Sequence, residues 1–297
     1  MSRDPLAGWP WLRRTAWRAM RGVARALPLD GGRLLATVVG RLVWACDARG
    51  RKVVADNLAP LQPAVCRDAA NRAVQRSYIA AGLAVAEGLR LDRLPARQFR
   101  GEQFSLDDPW QVFAHRPLVG PAILVGIHAN QEMLLAALHH LGLVHGIETA
   151  ALDEVDPWLT AERTRLRAAV GCRAVTMDRA PLAALRALRE RRVLALAADR
   201  DYSGRGLVAE VRGREMRLPP GPAALAAQTG AMIVPLLLAR QGWRRFRLVV
   251  GRPLRPQPGA DPVDEVSRLT TEMAAVIGRF LVAAPAQWVA FHPVWAR

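Results

Sequence analysis

The feature that most constrains the fold is an alternation of short apolar runs with helical patterns, which begins after Pro95. Five runs have the length of buried strands: residues 121–127, 174–177, 193–198, 232–238 and 246–250. Four helical patterns lie between or after them: residues 131–141, 181–191, 222–229 and 262–282. This order predicts an α/β fold in which helices flank a central, mostly parallel sheet. Ligands in such folds bind beyond the carboxyl ends of strands, so the residues after Ile127 and Ala198 are the first candidates for a site.

The first 95 or so residues differ, because helical periodicity dominates them. We expect residues 1–30 to form a basic amphipathic arm, followed by one domain made of a helical front (residues 31–95) and an α/β core (residues 96–297). Two interpretations of the arm stay open. It is either an ordinary helix packed on the domain or a membrane-interface helix. In the second case its contacts are Trp9, Trp11, Arg13, Arg14, Trp17 and Arg18.

Charge is the compositional outlier. The chain has 42 Lys and Arg against 26 Asp and Glu, a formal net charge of +16, which favours anionic partners such as an acidic membrane surface or an acidic carrier. Lys52 is the only lysine, so coding bias contributes to the size of this charge. Nucleic-acid surfaces usually add exposed stacking aromatics, and here only two tyrosines are present. We therefore expect no nucleic-acid partner, and a basic nucleic-acid-binding protein is the less favoured alternative.

Several other classes can be set aside. The cysteines Cys46, Cys66 and Cys172 form no CxxC pair and have no histidine at a zinc spacing, so we expect no metal site and a reducing compartment. Arginines interrupt the first 30 residues, and no stretch offers about 20 uninterrupted apolar residues. Neither an export signal nor a membrane-spanning helix is expected.

The first candidate site follows the strand that ends near Ile127. His128 leaves this strand, and Glu132 lies four residues on, within hydrogen-bond reach of the imidazole if the first turn is helical. An imidazole oriented by a carboxylate can act as a general base. A surface ion pair is the simpler alternative. His139, His140 and His145 are expected to be core or surface histidines.

The second candidate site follows the strand that ends near Ala198. Asp199, Arg200 and Asp201 lie at this strand exit and could hold phosphate or hydroxyl groups of a substrate, or close a salt-bridge network. None of the five serines stands in a G-x-S-x-G elbow, and nucleotide-binding glycine loops are absent. A histidine base without a protein nucleophile leaves direct attack by a substrate hydroxyl, which is transferase chemistry.

These residues, taken in order, resemble a known family. Together with His128 and its nearby acid, the pattern includes residues 167–171, 196–201, 213, 218–223, 229–231 and 234–235, Arg51 with the pair Asn57-Leu58, and the closing Pro285-Ala286-Gln287-Trp288. Over nearly the whole chain it is similar to the late acyltransferases of bacterial lipid A biosynthesis and the related phosphatidylinositol mannoside acyltransferases. These belong to the glycerolipid acyltransferase superfamily.

The resemblance implies a glycerolipid acyltransferase-like fold with a membrane-docked helical front, at the cytoplasmic face of the inner membrane. It implies transfer of a fatty acyl chain from acyl-ACP or acyl-CoA to a hydroxyl of a lipid or glycolipid, without a cofactor. Carried over by position, His128 is the base and Glu132 orients it. Arg167 and Arg200 bind or polarise anionic substrate groups, while Asp199 and Asp201 support the site.

One departure from the family pattern bears on activity. The family places four residues between the histidine and the acid, whereas only three separate His128 from Glu132, and Met133 stands at the expected position. Either a shifted helix start lets Glu132 still reach His128, or the pair is damaged. The second case would make the protein a non-catalytic lipid-binding relative.

Overall fold

A computed structural model describes residues 10–62, 66–151, 156–176, 180–202 and 204–296. Within these ranges the helices are α1 (Pro10–Ala26), α2 (Leu29–Cys46), α3 (Ala48–Leu58), α4 (Arg67–Gly88), α5 (Gln131–His140), α6 (Pro157–Ala168), α7 (Ala180–Arg189), α8 (Gly221–Thr229) and α9 (Pro262–Ala283). The strands are β1 (Phe104–Asp107), β2 (Ala122–Gly126), β3 (Ile147–Ala151), β4 (Cys172–Thr176), β5 (Val193–Ala197), β6 (Leu207–Val211), β7 (Arg214–Leu218), β8 (Met232–Arg240) and β9 (Phe246–Val250). Short 3₁₀ turns lie at Ala59–Leu61, Leu91–Arg93, Ala96–Phe99, Gly101–Gln103 and Pro285–Gln287.

The described strands form a seven-stranded sheet in the order β1-β9-β8-β2-β5-β3-β4 and a separate hairpin of β6 and β7. All neighbouring pairs in the large sheet are parallel except β8 and β9. The central strands β2 and β8 are almost wholly buried, as expected where helices cover both faces. The predicted α/β fold with a mostly parallel sheet flanked by helices is confirmed.

Two strands of the large sheet, one helix of the core and the hairpin were not predicted from the sequence. Strand β3 carries Glu148, which is buried and paired with Arg173 and Arg192, so the run lacks the apolar signature of a core strand. The hairpin turns at Arg212 and Gly213, both with positive φ, which is the geometry of a two-residue hairpin loop. Helix α3 lies within the front, residues 31–95, that was expected to be helical.

The helical front packs through close helix contacts and buried charges. A Cβ atom at Gly40 of α2 would lie 2.9 Å from the backbone of Ile79 in α4, so only glycine permits this approach. Arg33 of α2 donates to Glu87 of α4 at 2.8 Å, and both side chains are 1% exposed. Arg240 of β8 also donates to Glu87, which joins the front to the sheet.

Among the described residues, no helix is both long and apolar enough to cross a bilayer.

Candidate active site

His128 stands on a tight turn between β2 and α5. The N–H of Ala129 donates to the carbonyl of Ile127 at 2.7 Å, and Asn130 adopts a left-handed conformation (φ 49°) immediately before α5 begins at Gln131. The turn presents the imidazole at the carboxyl end of β2, where its side chain is 19% exposed. The ring is therefore supported by the protein on one side and open on the other.

Asp199 meets this imidazole because β2 and β5 are neighbours. Gly126 and Ala197 are partners in the parallel register, and two more residues on each strand lead to His128 and Asp199. His128 Nδ1 lies 2.6 Å from Asp199 Oδ1, and the backbone N–H of His128 donates to the same oxygen at 3.1 Å. Among the described residues, the other hydrogen-bond partner of the ring is the Tyr202 hydroxyl, 3.4 Å from Nε2.

The carboxylate of Asp199 is buried and charged. Its residue is 1% exposed, and the indole N–H of Trp288 donates to Oδ2 at 2.6 Å. Burial alone would raise the pKa of Asp199, but the neighbouring His128, together with Arg200 and the indole donor, holds this pKa below its ordinary value. A charged carboxylate on Nδ1 leaves Nε2 as the basic nitrogen that faces outward.

Glu132 does not form the expected hydrogen bond to His128. Because α5 starts only at Gln131, His128 lies outside the helix and the i,i+4 geometry does not apply. Glu132 instead binds Arg167 of α6, whose Nη2 donates to Oε1 at 2.6 Å. Asp199 thus makes the contact with the imidazole that was expected of Glu132. The predicted parts of Glu132 and Arg167 in the reaction stay predictions.

Arg200 and Asp201 continue from Asp199 into the loop before β6. Asp201 accepts from the backbone N–H of Gly206 at 2.6 Å, which braces this loop. The Nε and Nη2 atoms of Arg200 are covered from solvent and have no hydrogen-bond partner among the described residues. Arg200 and burial both lower the pKa of His292, burial being the larger cause. A positive, incompletely satisfied guanidinium therefore lies beside the His128–Asp199 pair.

Trp288, His292 and Tyr202 are neighbours of the site that sequence reasoning missed. Trp288 was noticed only as part of a closing motif, and its partner Asp199 is 89 residues away in the chain. The backbone N–H of Val289 donates to the carbonyl of His128 at 2.8 Å, so the carboxyl-terminal segment runs directly along the site. No local periodicity signals such a contact.

An apolar groove of about 600 Å³ opens between α1, α2 and α4. Its lining includes Met20, Leu29, Val43 and Val85, and Phe291 lies at the end where Tyr78 and Asp47 are found. His128 is not one of the described residues that line the groove, but the carboxyl-terminal segment contacts both, because Val289 donates to the His128 carbonyl and Phe291 lines the groove. Phe291 follows Val289 by two residues, which is at most about 7 Å of extended chain.

The predicted membrane contacts lie mostly on α1. Trp11 is 59% exposed, Trp17 is half-buried and Arg13 is buried, while Trp9 lies outside the described residues. Arg14 forms an ion pair with Asp156 at 2.8 Å and lowers the pKa of that carboxyl, and the guanidinium of Arg18 stacks over Trp158 at 4.9 Å. Arg21 binds Asp92 and Glu162. Much of the basic side of α1 therefore faces the α/β core.

No group of three or more potential metal ligands is found within the described ranges. Fold and site together define a class of α/β protein in which an imidazole, oriented by a buried carboxylate, stands at the carboxyl edge of a mostly parallel sheet, and in which the helical front carries an apolar groove.

The sequence model of one family, described as bacterial lipid A biosynthesis acyltransferase, matches residues 4–297. The chain belongs to this family, which confirms the resemblance seen in the sequence. It is also 32% identical over 109 residues to the phosphatidylinositol mannoside acyltransferase of Mycobacterium tuberculosis, an alignment that covers 36% of this chain and 32% of the relative. The corresponding protein of Mycolicibacterium smegmatis is 29% identical over 111 residues, covering 36% and 34% of the two chains. These alignments span about a third of the length of the curated relatives.

Proposed function

We propose that this protein is an O-acyltransferase, which transfers a fatty acyl chain from an acyl thioester to a hydroxyl of a lipid or glycolipid, with His128 as the general base. The observation that carries the proposal is the 2.6 Å contact between His128 Nδ1 and the buried carboxylate of Asp199. This contact fixes the tautomer and leaves Nε2 free to take a proton. Family membership and the curated relatives support the acyl-transfer class.

The reaction then needs no covalent acyl-enzyme. His128 Nε2 takes the proton of the acceptor hydroxyl as its oxygen attacks the thioester carbonyl carbon. When the tetrahedral intermediate collapses, the carbon–sulfur bond breaks and the thiolate takes the proton back from the imidazolium. Arg200 offers covered N–H groups that have no partner in the part of the chain that the structure describes, and these suit the negative charge that develops on the carbonyl oxygen.

The groove between α1, α2 and α4 is the proposed site of the acyl chain. From Leu29 to Val43, both of which line it, α2 advances about 21 Å. An extended chain of about 18 carbons spans this length, because each bond advances about 1.25 Å. Each buried methylene contributes about 0.8 kcal/mol, so a chain that fills the groove binds far better than a short one. The thioester carbon would lie at the Phe291 end, which the carboxyl-terminal segment links to His128.

We also propose that the protein is peripheral, at the cytoplasmic face of the inner membrane. Six large apolar side chains of α2 are each at least 42% exposed: Leu34, Leu35, Val38, Val39, Leu42 and Val43. Leu35, Val39 and Val43 also line the groove, together with Met20 and Val23 of α1. An exposed apolar helix face next to exposed arginines such as Arg41 suits an anionic lipid surface. A chain could then pass between bilayer and groove without crossing water.

The catalytic part is tested by the substitution His128→Ala. The assay measures the thiol released from a long-chain acyl-CoA in the presence of bacterial lipid extract, and mass spectrometry identifies the acylated product. We expect a loss of at least about 100-fold, as for removal of a general base, with vesicle binding retained. The control His145→Ala replaces an exposed histidine and should keep wild-type activity. Unchanged product formation by His128→Ala refutes the assignment, whereas binding without transfer in the wild type indicates a non-catalytic lipid-binding protein.

The membrane part is tested by co-sedimentation with anionic vesicles. Leu34→Glu combined with Leu42→Glu should weaken binding at least tenfold, because two charges enter the apolar face. Leu182→Glu is the matched control, since Leu182 is a 79% exposed leucine of α7. Deletion of residues 1–28 tests the arm separately. Equal binding by the double variant and the control would remove α2 from the docking surface.

The acceptor is identified by comparing lipids from cells with and without the gene by mass spectrometry. The proposed acceptor class predicts that one lipid or glycolipid species loses an acyl chain when the gene is removed.

A further inference from the structure

Trp288 is a buried tryptophan whose indole N–H contacts a residue of the candidate active site. It follows the 3₁₀ turn Pro285–Gln287 and is 1% exposed. Its indole N–H donates to Asp199 Oδ2 at 2.6 Å, in a contact that is itself buried. A buried indole N–H usually finds a partner, but here that partner is the carboxylate that binds the proposed general base.

The two carboxylate oxygens of Asp199 are held by different parts of the chain. His128 contacts Oδ1 through both its backbone N–H and its ring, at 3.1 and 2.6 Å, while the indole holds Oδ2. A carboxylate that accepts on both oxygens cannot rotate about its χ2 angle without losing a charged hydrogen bond. The plane of the carboxylate, and with it the orientation of the imidazole, therefore depends on the indole.

The segment that carries Trp288 is anchored on both sides. Gln287 accepts from the Asn130 side-chain amide at 2.8 Å, and Val289 donates to the carbonyl of His128 at 2.8 Å. Further on, the amide of Asn57 donates to the carbonyls of Ala290 and His292, at 3.0 and 2.8 Å. The indole is thus delivered to Asp199 by a fixed backbone, not by a flexible loop.

We propose that Trp288 is a positioning residue of the acyl-transfer site, which acts through Asp199 to hold the His128 imidazole in its productive tautomer and orientation. The proposal rests on the proposed function. It assigns the closing Pro285-Ala286-Gln287-Trp288 motif a task in the chemistry, in addition to its place in the core. The direction in which the pH profile should move when the indole N–H is removed follows from the groups around the Asp199 carboxylate.

The charged and titratable groups near Asp199 are His128, Arg200, His292 and Tyr202. The indole donor is one of the causes that lower the pKa of Asp199 against the effect of burial. Without it, Oδ1 carries more of the negative charge and attracts a proton more strongly. The His128–Asp199 pair should then take up a proton at higher pH, and the acid limb of the pH profile of kcat/KM should move upward.

The test compares variants that lack the indole N–H with a matched control. Trp288→Phe removes the donor, and replacement of Trp288 by benzothienylalanine, with sulfur in place of N–H, keeps the indole shape if phenylalanine impairs folding. Trp295→Phe is the control, because Trp295 belongs to the same segment and its indole N–H donates at 3.2 Å to the backbone carbonyl of Asn57. We expect kcat to fall at least tenfold in both Trp288 variants. The acid limb should rise by about one pH unit in both, and neither effect should appear in Trp295→Phe.

A second readout does not depend on catalysis. The ring protons of His128, assigned by their loss in His128→Ala, report by NMR the pH at which the His128–Asp199 pair takes up a proton. An upward shift in the Trp288 variants supports the positioning role, and it is measured without turnover. Profiles and titrations that match the wild type, with only a lower thermal midpoint, overturn it and make Trp288 a packing residue. A wild type without acyl transfer would instead overturn the proposed function.

Discussion

The substitution Asp199→Asn tests whether the carboxylate on the imidazole supports the chemistry. An asparagine has nearly the same shape, but it offers one acceptor oxygen and one amide donor. With its oxygen toward His128, the amide meets the indole N–H of Trp288, and two donors face each other in a buried contact. With the amide toward His128, it meets the backbone N–H and forces Nδ1 to accept, so the proton moves to Nε2 and the base is lost.

Both arrangements remove a charged hydrogen bond from a residue that is 1% exposed. Such a bond contributes about 1.5–3 kcal/mol, and the imidazolium also loses its neighbouring negative charge in the transition state. A total of about 4 kcal/mol corresponds to about a 1,000-fold loss of kcat, because each 1.36 kcal/mol is a factor of ten. The wrong-tautomer effect reaches a similar size in serine proteases.

The assay is single-turnover thiol release from a long-chain acyl-CoA, which reports chemistry without product release. Glu132→Gln is the comparison, since it removes a carboxylate that binds Arg167 in place of His128. We expect less than a tenfold loss for Glu132→Gln and about 1,000-fold for Asp199→Asn. The reasoning fails if Asp199→Asn, with its circular dichroism unchanged, stays within tenfold of the wild type, or if the two variants exchange their rank.

Three further predictions concern the groove and the helical front. Gly32→Leu should shorten the preferred acyl chain by about four carbons. Gly32 lines the groove one helical turn from Leu29, and a Cβ there would lie 3.9 Å from its nearest neighbour, Arg90. An unchanged chain-length preference in competition among acyl-CoAs would contradict this. Glu87→Ala should cost about 3–5 kcal/mol in urea unfolding, because it leaves two buried or half-buried arginines without their carboxylate; a loss below 1 kcal/mol would show that the pair does not hold the front. The backbone N–H of Gly50 and the Tyr78 hydroxyl lower the pKa of Asp47, so this carboxylate stabilises the fold fully above the ordinary pKa of about 3.9, and the stabilisation is lost as pH falls through the folded pKa. Asp47→Asn, which keeps a helix cap, should therefore lose less stability than the wild type between pH 5 and 3. Parallel plots of unfolding free energy against pH for the two proteins would contradict this sign.

Local patterns in the sequence were sufficient to find the strand exits that carry the site. The apolar runs before His128 and Asp199 are long and uninterrupted, and parallel sheets place their ligand sites beyond such runs. The pairing of the two side chains was not predicted, because it requires β2 and β5 to be neighbours. Strand order is set by packing between distant segments, and no periodicity within either strand records it.

The contact expected between His128 and Glu132 does not form, for a specific physical reason. The spacing rule for i,i+4 pairs holds only when both residues lie in one helix, and the left-handed Asn130 places the helix start after His128. Asparagine tolerates this conformation better than most residues, so its position between the two candidates was the one available signal of a turn. Strand β3 was missed for a different reason. Its buried Glu148 interrupts the apolar pattern, and two arginines from other parts of the chain neutralise its charge.

The shortened spacing between His128 and its neighbouring acid therefore does not by itself indicate a damaged site. A carboxylate on Nδ1 keeps Nε2 basic, and it makes no chemical difference whether this carboxylate comes from the following helix or from a neighbouring strand of the sheet. Asp199 supplies it from β5, where the sheet register, the backbone N–H of His128 and the indole of Trp288 fix its position. Glu132 is then available to bind Arg167 and join α5 to α6. A one-residue change at the start of α5 would move Glu132 relative to α6. It would not change the distance between His128 and Asp199, because the pairing of β2 with β5 sets that distance.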